Sequence, residues 1–366
     1  MTLSRRKTLA LIGGGTILAA GAAAGGFLGT RTPQTALAPW DAAGNYDDPR
    51  EWALSYAILA PNAHNRQPWL VGLEGNDTVT LWRDKTRELP ETDPFQRQLV
   101  ISLGCFIEQM RIAATHRQID VRLDIYPEGE DGPAAIATFG GTATPDPLFA
   151  AVPHRRSCKQ PFEDRPVDAK AAQDLGAYAN ILTDPDMVGK LKQLTWNAWL
   201  TEAHYPPTWT ESVDLMRFGK AEINANPDGI DLGGAFLESL MLLGLLSRDD
   251  QAKIGSAGFK QGVAIYHEMM DATPAYAVVT TRGNSRQDQI EAGRRWLRLN
   301  LAATALGVSL HPVSQALQEY PQMAEHYDAA HQLMAEPGET VQMLGRLGYG
   351  PAIAPTPRWP LETRFI

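Results

Sequence analysis

The chain has 366 residues, 44% of them hydrophobic and 20% charged, with two cysteines and a formal net charge of −9. That is ample length and apolar content for a buried core, and it excludes a coiled coil, a collagen-like chain, a fully disordered chain and a disulfide-stapled mini-domain. Residues 1–38 hold Arg5, Arg6, Lys7 and Arg31 and no acid, which leaves a body of 29 basic against 42 acidic residues, net −13. So acidic a body is poorly suited to holding a phosphate backbone by counterion release, so nucleic acid is not an expected partner.

Ser4-Arg5-Arg6-Lys7 opens a positive region, followed by an uncharged, Gly/Ala-rich run from Thr8 to Thr30. The arrangement resembles a twin-arginine export signal and implies a periplasmic body. The same run is long enough to span a bilayer, so an uncleaved membrane tether is the other reading. Ala36-Leu37-Ala38 is an A-x-A-like cleavage candidate with Pro39 directly after it. Residues 1–38 are therefore read as the signal segment and 39–47 as a linker.

Asp48-Pro49-Arg50-Glu51 predicts a helix start, with an N-cap, a proline in the first turn and an acid behind it. That helix runs to about Leu59. Trp69–Glu74 and Thr78–Arg83 read as strands joined by Gly75-Asn76-Asp77. A long helix follows over residues 95–116, where Leu103, Ile107, Met110 and Ala114 line one face. Residues 120–126 and 134–139 read as a second strand pair. Composition turns to Gly, Thr and Pro around 140–153, and a boundary is placed there. The second half is mostly helical. Residues 229–246 predict one strongly apolar helix, and 276–281 a strand. Ser285-Arg286-Gln287-Asp288 is a capping-box-like start for a helix carrying Trp296, Leu299, Ala303 and Leu306, with Gly307 as its C-cap. Strands are expected at 308–311 and 341–347. The class is α+β, with halves at 48–150 and 151–366 that share an order of elements.

Three segments carry chemistry. Pro61 to Pro68 crowds Asn62, His64, Asn65, Arg66 and Gln67 between two prolines. Such a loop either aims amides at a heterocycle or is a satisfied turn before a strand. His154-Arg155-Arg156-Ser157-Cys158-Lys159 concentrates four basic residues and a hydroxyl, which suits a phosphate or makes a solvated basic turn. Arg358 lies in a Pro-rich tail, where an arginine is ordinarily solvated. His267-Glu268 lacks a second histidine at zinc-protease spacing, so no metal is expected there. Cys105 and Cys158 either pair in an oxidising compartment or stay as buried thiols.

Together these segments resemble the flavin-dependent nitroreductase family. Residues 60–69 match its A-P-S-x-x-N-x-Q-P-W pattern, except that Asn62 replaces the serine. Arg155, Arg156, Ser157, Pro161 and Phe162 match R-R-S/T-x-x-x-P-F, and the run from Trp296 to Pro312 looks like the family's late helix and glycine. The A-P-N motif precedes R-R-S, the reverse of ordinary members. That order resembles the long, single-chain Acg-type branch, whose two halves imitate the family dimer. The resemblance implies a nitroreductase-like fold, a monomer built as a pseudo-dimer, and one FMN at the seam. It implies that Arg155, Arg156 and Ser157 hold the phosphate, with Arg358 assisting. Asn62, His64, Asn65 and Gln67 would approach the isoalloxazine or ribityl chain, and Gly307 and Val308 would pass close to the ring. The implied activity is two-electron transfer through flavin to a nitro, quinone or similar small electrophilic acceptor, from an electron donor not fixed by the sequence. The branch also contains members thought to sequester FMN, so a non-catalytic flavin-binding protein is the alternative. No catalytic residue is nominated.

Overall fold

A computed structural model describes residues 30–366. The arginine pair and the apolar run up to residue 29 lie outside the described residues. The first described elements are α1 (Gln34–Ala42) and α2 (Pro49–Ala57). The Asp48 carboxylate accepts from the Arg50 N–H at 2.8 Å and Pro49 occupies the first turn, so the helix starts where its capping chemistry predicts. β1 (Trp69–Glu74) and β2 (Thr78–Arg83) form a hairpin, and α3 (Arg97–His116), β3 (Val121–Ile125) and β4 (Ala135–Phe139) complete the first half. α4 (Ala169–Leu175) and β5 (Asn180–Leu182) open the second. A mostly helical stretch then intervenes: α5 (Pro185–His204), α6 (Pro206–Asp214), β6 (Met216–Phe218), α7 (Gly219–Ala225), β7 (Ile230–Leu232), α8 (Ala235–Leu242), α9 (Arg248–Ala252) and α10 (Ala257–Asp271). β8 (Ala275–Thr281), α11 (Arg286–Ala305), β9 (Ser309–Pro312), α12 (Ala324–Met334) and β10 (Thr340–Gly348) follow.

Both four-stranded sheets are antiparallel, with orders β1-β2-β4-β3 and β5-β8-β10-β9. Each is built as two strands, a 20-residue helix and two strands, and in each the last strand lies between the second and third. The second copy differs by its insertion, residues 183–274, between its first two strands, and by α12 between its last two. The architecture is therefore α+β with an internally repeated topology.

The two long helices, α3 and α11, pack directly on each other. Glycine is required at the contact: a Cβ on Gly104 would stand 2.2 Å from the Ile290 carbonyl oxygen, and one on Gly293 would stand 2.0 Å from that of Ile101. Beside this crossing the Cys105 thiol donates to the Gly293 carbonyl at 3.2 Å. Both cysteines are free and buried, and burial pushes the Cys105 thiol up to about 12. Glu108, with no exposed surface, accepts from Arg294 at 2.7 Å and Arg298 at 2.6 Å and pairs with Arg111 at 3.2 Å. Burial alone would raise this carboxyl; the three guanidiniums hold it below its ordinary range. One apolar cluster runs through both halves, from Trp69 and Phe106 to Trp296, Leu347 and Leu361, and a second fills the space under the insertion.

Three expectations are corrected. Residues 39–47 are not a free linker: Pro39 is buried within α1. The candidate cleavage site lies inside that same helix, where Ala36 is 1% exposed, its N–H donating to Asn224 Oδ1 at 3.1 Å and its carbonyl accepting from Arg358 N–H at 2.8 Å. Residues 229–246 do not form one helix. Gly233-Gly234, with Gly234 at φ 93°, separates β7 from the shorter α8. The buried face of α11 ends at Ala303, because Leu306 is exposed.

Candidate functional site

The loop between α2 and β1 is held in an unusual backbone conformation. His64, Asn65 and Gln67 have φ of 46°, 51° and 51°, the left-handed region that side chains rarely adopt. Asn62 supplies part of the restraint, its Oδ1 accepting from the Gln67 N–H at 2.7 Å while its Nδ2 donates to the Ala60 carbonyl at 3.1 Å. Gln67 is fully buried. Its Nε2 donates to the Pro227 carbonyl at 2.7 Å, and its Oε1 accepts from the Trp359 N–H at 2.8 Å. Asn65 donates from Nδ2 to the Pro357 carbonyl at 3.0 Å and accepts at Oδ1 from Arg358 at 2.7 Å. The amides of Asn65 and Gln67 are thus engaged with the tail and the insertion, which they clamp to the loop.

Arg155 and Arg358 converge on one backbone oxygen. Arg155, 3% exposed, donates from Nη2 to the Leu59 carbonyl at 2.9 Å; Arg358, 2% exposed, donates to the same oxygen at 3.1 Å. Arg358 also reaches the Ala60 and Pro357 carbonyls and Thr356 Oγ1. Arg156, half-buried, donates to the Pro153 and Arg155 carbonyls. Its guanidinium carbon lies 4.4 Å from the Trp40 ring centroid, and that of Arg358 5.7 Å from the same ring. Trp40 is itself fixed by its indole N–H donating to the Thr356 carbonyl at 2.8 Å.

Among the described residues, none of these three arginines forms a salt bridge, although buried Arg50, Arg97 and Glu108 all do. Each of the three also keeps a buried Nε with no hydrogen-bond partner. Burial pulls Arg155 down to about 10, with the Arg156 charge adding to the effect. Burial and its two arginine neighbours lower Arg358 further, partly offset by Asp231. Buried cations are ordinarily paired, and a buried N–H without an acceptor is costly. A cluster of three, short of both counter-charge and acceptors, fits a multiply charged anion with several acceptor oxygens, as a phosphate monoester is.

The remaining expected residues are distributed around this cradle. Ser157 is half-buried, and the next residue joins β9 through Cys158 N–H to the Leu310 carbonyl at 3.1 Å. Gly307, at φ 69°, and buried Val308 lead into the same strand. This backbone link ties β9 to the segment that carries Arg155 and Arg156. Burial, with the charges of Lys159 and Arg66, lowers His64 to about 4, so the ring is neutral near pH 7. Among the described residues, no group of three or more His, Cys, Asp or Glu is placed to hold a metal ion.

Two residues of this region had no signal in the sequence. Trp40 fell in the stretch read as a linker. Asp228 sits in an Asn-Pro-Asp-Gly turn, yet it is buried and accepts from Arg87 at 2.6 Å, Arg217 at 2.7 Å and the Trp359 indole at 3.3 Å, with Arg66 at 3.6 Å. It locks the insertion to the loop, to the segment after β2 and to the tail.

No protein-family model matches the chain. It is 24% identical over 336 residues to the Mycobacterium tuberculosis H37Rv protein named "Putative NAD(P)H nitroreductase Rv3131", covering 84% of this chain and 91% of that one. It is 29% identical over 123 residues to "Putative NAD(P)H nitroreductase acg" of the same organism, covering 31% and 36%. Among solved structures, a nitroreductase-type protein from Anabaena variabilis aligns over 86% of this chain and 91% of its own with a TM-score of 0.42 and 12% identity. The FMN-dependent nitroreductase NfnB of Mycobacterium smegmatis, solved with NADPH, aligns over 57% and 92% with a TM-score of 0.36 and 15% identity.

Proposed function

We propose that this protein is an FMN-binding oxidoreductase of the nitroreductase kind, its two halves standing in for two subunits around one flavin. The carrying observation is the arginine cradle: Arg155, Arg156 and Arg358, buried or half-buried, unpaired with any carboxylate, each with an Nε lacking an acceptor. Support also comes from the order of the motifs and from similarity, over 84% of this chain, to the protein named "Putative NAD(P)H nitroreductase Rv3131".

In this reading Arg155, Arg156 and Arg358 hold the phosphate, with Ser157 beside them. Trp40 and the Leu59 and Ala60 carbonyls orient the guanidiniums. Asn65 and Gln67 position the tail that carries Arg358, and Asn62 holds the left-handed loop that presents His64. Bound FMN would supply the two-electron redox chemistry. The acceptor class is a nitro compound, quinone or similar electrophile. His64, neutral near pH 7, would offer bound flavin a hydrogen-bond donor but carries no proton in excess. The N-terminal pattern supports an exported, periplasmic or membrane-tethered body.

Anaerobic addition of NADPH to the flavin-loaded protein tests this. Bleaching of the flavin, followed by reoxidation with a nitroaromatic, is expected. Bleaching by dithionite alone would favour the flavin-sequestering reading instead.

A further inference from the structure

The large apolar side chains that stand exposed among the described residues are Phe95, Leu242, Leu243, Leu245, Leu306 and Ile366. Three of these six fall within four consecutive positions, at the end of α8 and in the turn after it. Leu242, Leu243 and Leu245 are 76%, 72% and 66% exposed, and Gly244, at φ 69°, turns the chain between them. Scattered exposed leucines are ordinary; three on one helix end and the turn after it mark a contact.

The base of this tip is tied to the start of the described chain. Glu238, one helical turn before Leu242, accepts from Arg31 Nη1 at 3.2 Å through one oxygen and from the Lys220 N–H at 3.0 Å through the other. Lys220 Nζ in turn donates to the Thr30 carbonyl at 2.9 Å. The rise from Glu238 to Leu242 is only about 6 Å along the helix. Immediately upstream of Arg31 lie 23 uncharged residues, Thr8–Thr30, bounded on the far side by Arg5, Arg6 and Lys7. An apolar segment long enough for a bilayer therefore meets the folded body beside its leucine tip. The A-x-A-like stretch 36–38 lies within α1, and the junction at residue 30 lies upstream of it.

We propose that the 242–245 tip is a membrane foot. Its leucines seat in the interface of a lipid bilayer next to the entry point of the 8–30 segment, so that the body is held at the surface by a tether and a second contact. Three leucines alone give a weak, reversible contact. The tether makes it intramolecular, which raises its effective concentration. Charge is not the source of attraction, because the tip is apolar and the body carries a net negative charge.

The test uses the full chain in phosphatidylethanolamine/phosphatidylglycerol vesicles, with Leu243→Cys carrying an environment-sensitive fluorophore. Glu336→Cys, at another exposed site, is the reference; the native cysteines are buried. The expected result is blue-shifted emission at position 243, lost to a lipid-borne quencher, and neither effect at 336. Equal water exposure at both positions would overturn the proposal. So would a shielded label at 243 that the lipid quencher does not reach, since a second copy or the chain's own 8–30 segment would then cover the tip. Replacing Leu242 and Leu245 by Gln in the labelled chain should return the label at 243 to water. These exposed positions make no core contact, so that variant folds. The readout is independent of flavin, and its failure leaves the cradle untouched.

Discussion

Replacing Arg155 by methionine separates a ligand cradle from a structural clamp, because the two make opposite predictions. In the folded protein the Arg155 cation is buried without a counter-charge, and its fall to about 10 corresponds to a cost of roughly 3 kcal/mol for keeping the charge inside. Its one hydrogen bond, to the Leu59 carbonyl, contributes about 1.5–3 kcal/mol, and that oxygen keeps Arg358 as a donor after the substitution. The two effects nearly cancel, so flavin-free Arg155→Met should unfold within about 1–2 kcal/mol of wild type, on the stable side if the relief of charge dominates. Binding should respond in the other direction. Loss of a charge-assisted bond of about 1.5–3 kcal/mol weakens FMN by roughly ten- to 150-fold. Riboflavin, which has no phosphate, should bind wild type and variant alike. Urea unfolding of the stripped protein and flavin-fluorescence titrations with both ligands read these quantities. A clearly destabilised Arg155→Met that retains wild-type FMN affinity would refute the cradle, and so would equal losses for FMN and riboflavin.

Other substitutions probe the supports. Trp40→Ala removes the ring beneath Arg156 and Arg358; at about 0.5–2 kcal/mol per cation–π contact, FMN should bind a few-fold to tens of times more weakly, with Trp40→Phe recovering most of the loss in the same titration. Asp228→Asn leaves Arg66, Arg87 and Arg217 facing a neutral group and should lower the unfolding free energy by about 3–5 kcal/mol in urea. Gly293→Ala drives a methyl into the Ile101 carbonyl, so α3 and α11 must separate; a cost of at least about 1–3 kcal/mol should appear as a lower thermal midpoint. His64 is depressed to about 4 in the fold, so the unfolded chain binds its proton first as pH falls, and stability is lost between about 6.5 and 4. His64→Gln should flatten that limb of a stability–pH curve, and an unchanged limb would contradict the assignment.

Local chemistry made much of the fold legible. Asp48-Pro49, the 69–83 hairpin and the Ser285–Asp288 capping box each contain their own instructions, and the structure places those elements within a residue or two. Tertiary partners were what sequence could not supply. Helix α1 read as leader and linker because its alanines and prolines resemble an export segment; what makes it part of the body is Arg358, more than three hundred residues away. The 229–246 run read as one helix because its apolar residues dominate, while Gly233-Gly234 breaks it and its last leucines find no core. At the candidate site the clustering of Arg155 and Arg156 was visible, but not their lack of carboxylate partners, which depends on every neighbouring element. Asp228 gathers arginines from positions 66, 87 and 217 and carries no local signature at all.

The most direct test of the central claim is the visible absorption spectrum of the purified protein after titration with FMN. An oxidised-flavin spectrum saturating at one FMN per chain, with the flavin released intact on denaturation, is predicted. A protein that stays colourless in the presence of FMN, or that takes up riboflavin as tightly as FMN, would contradict it.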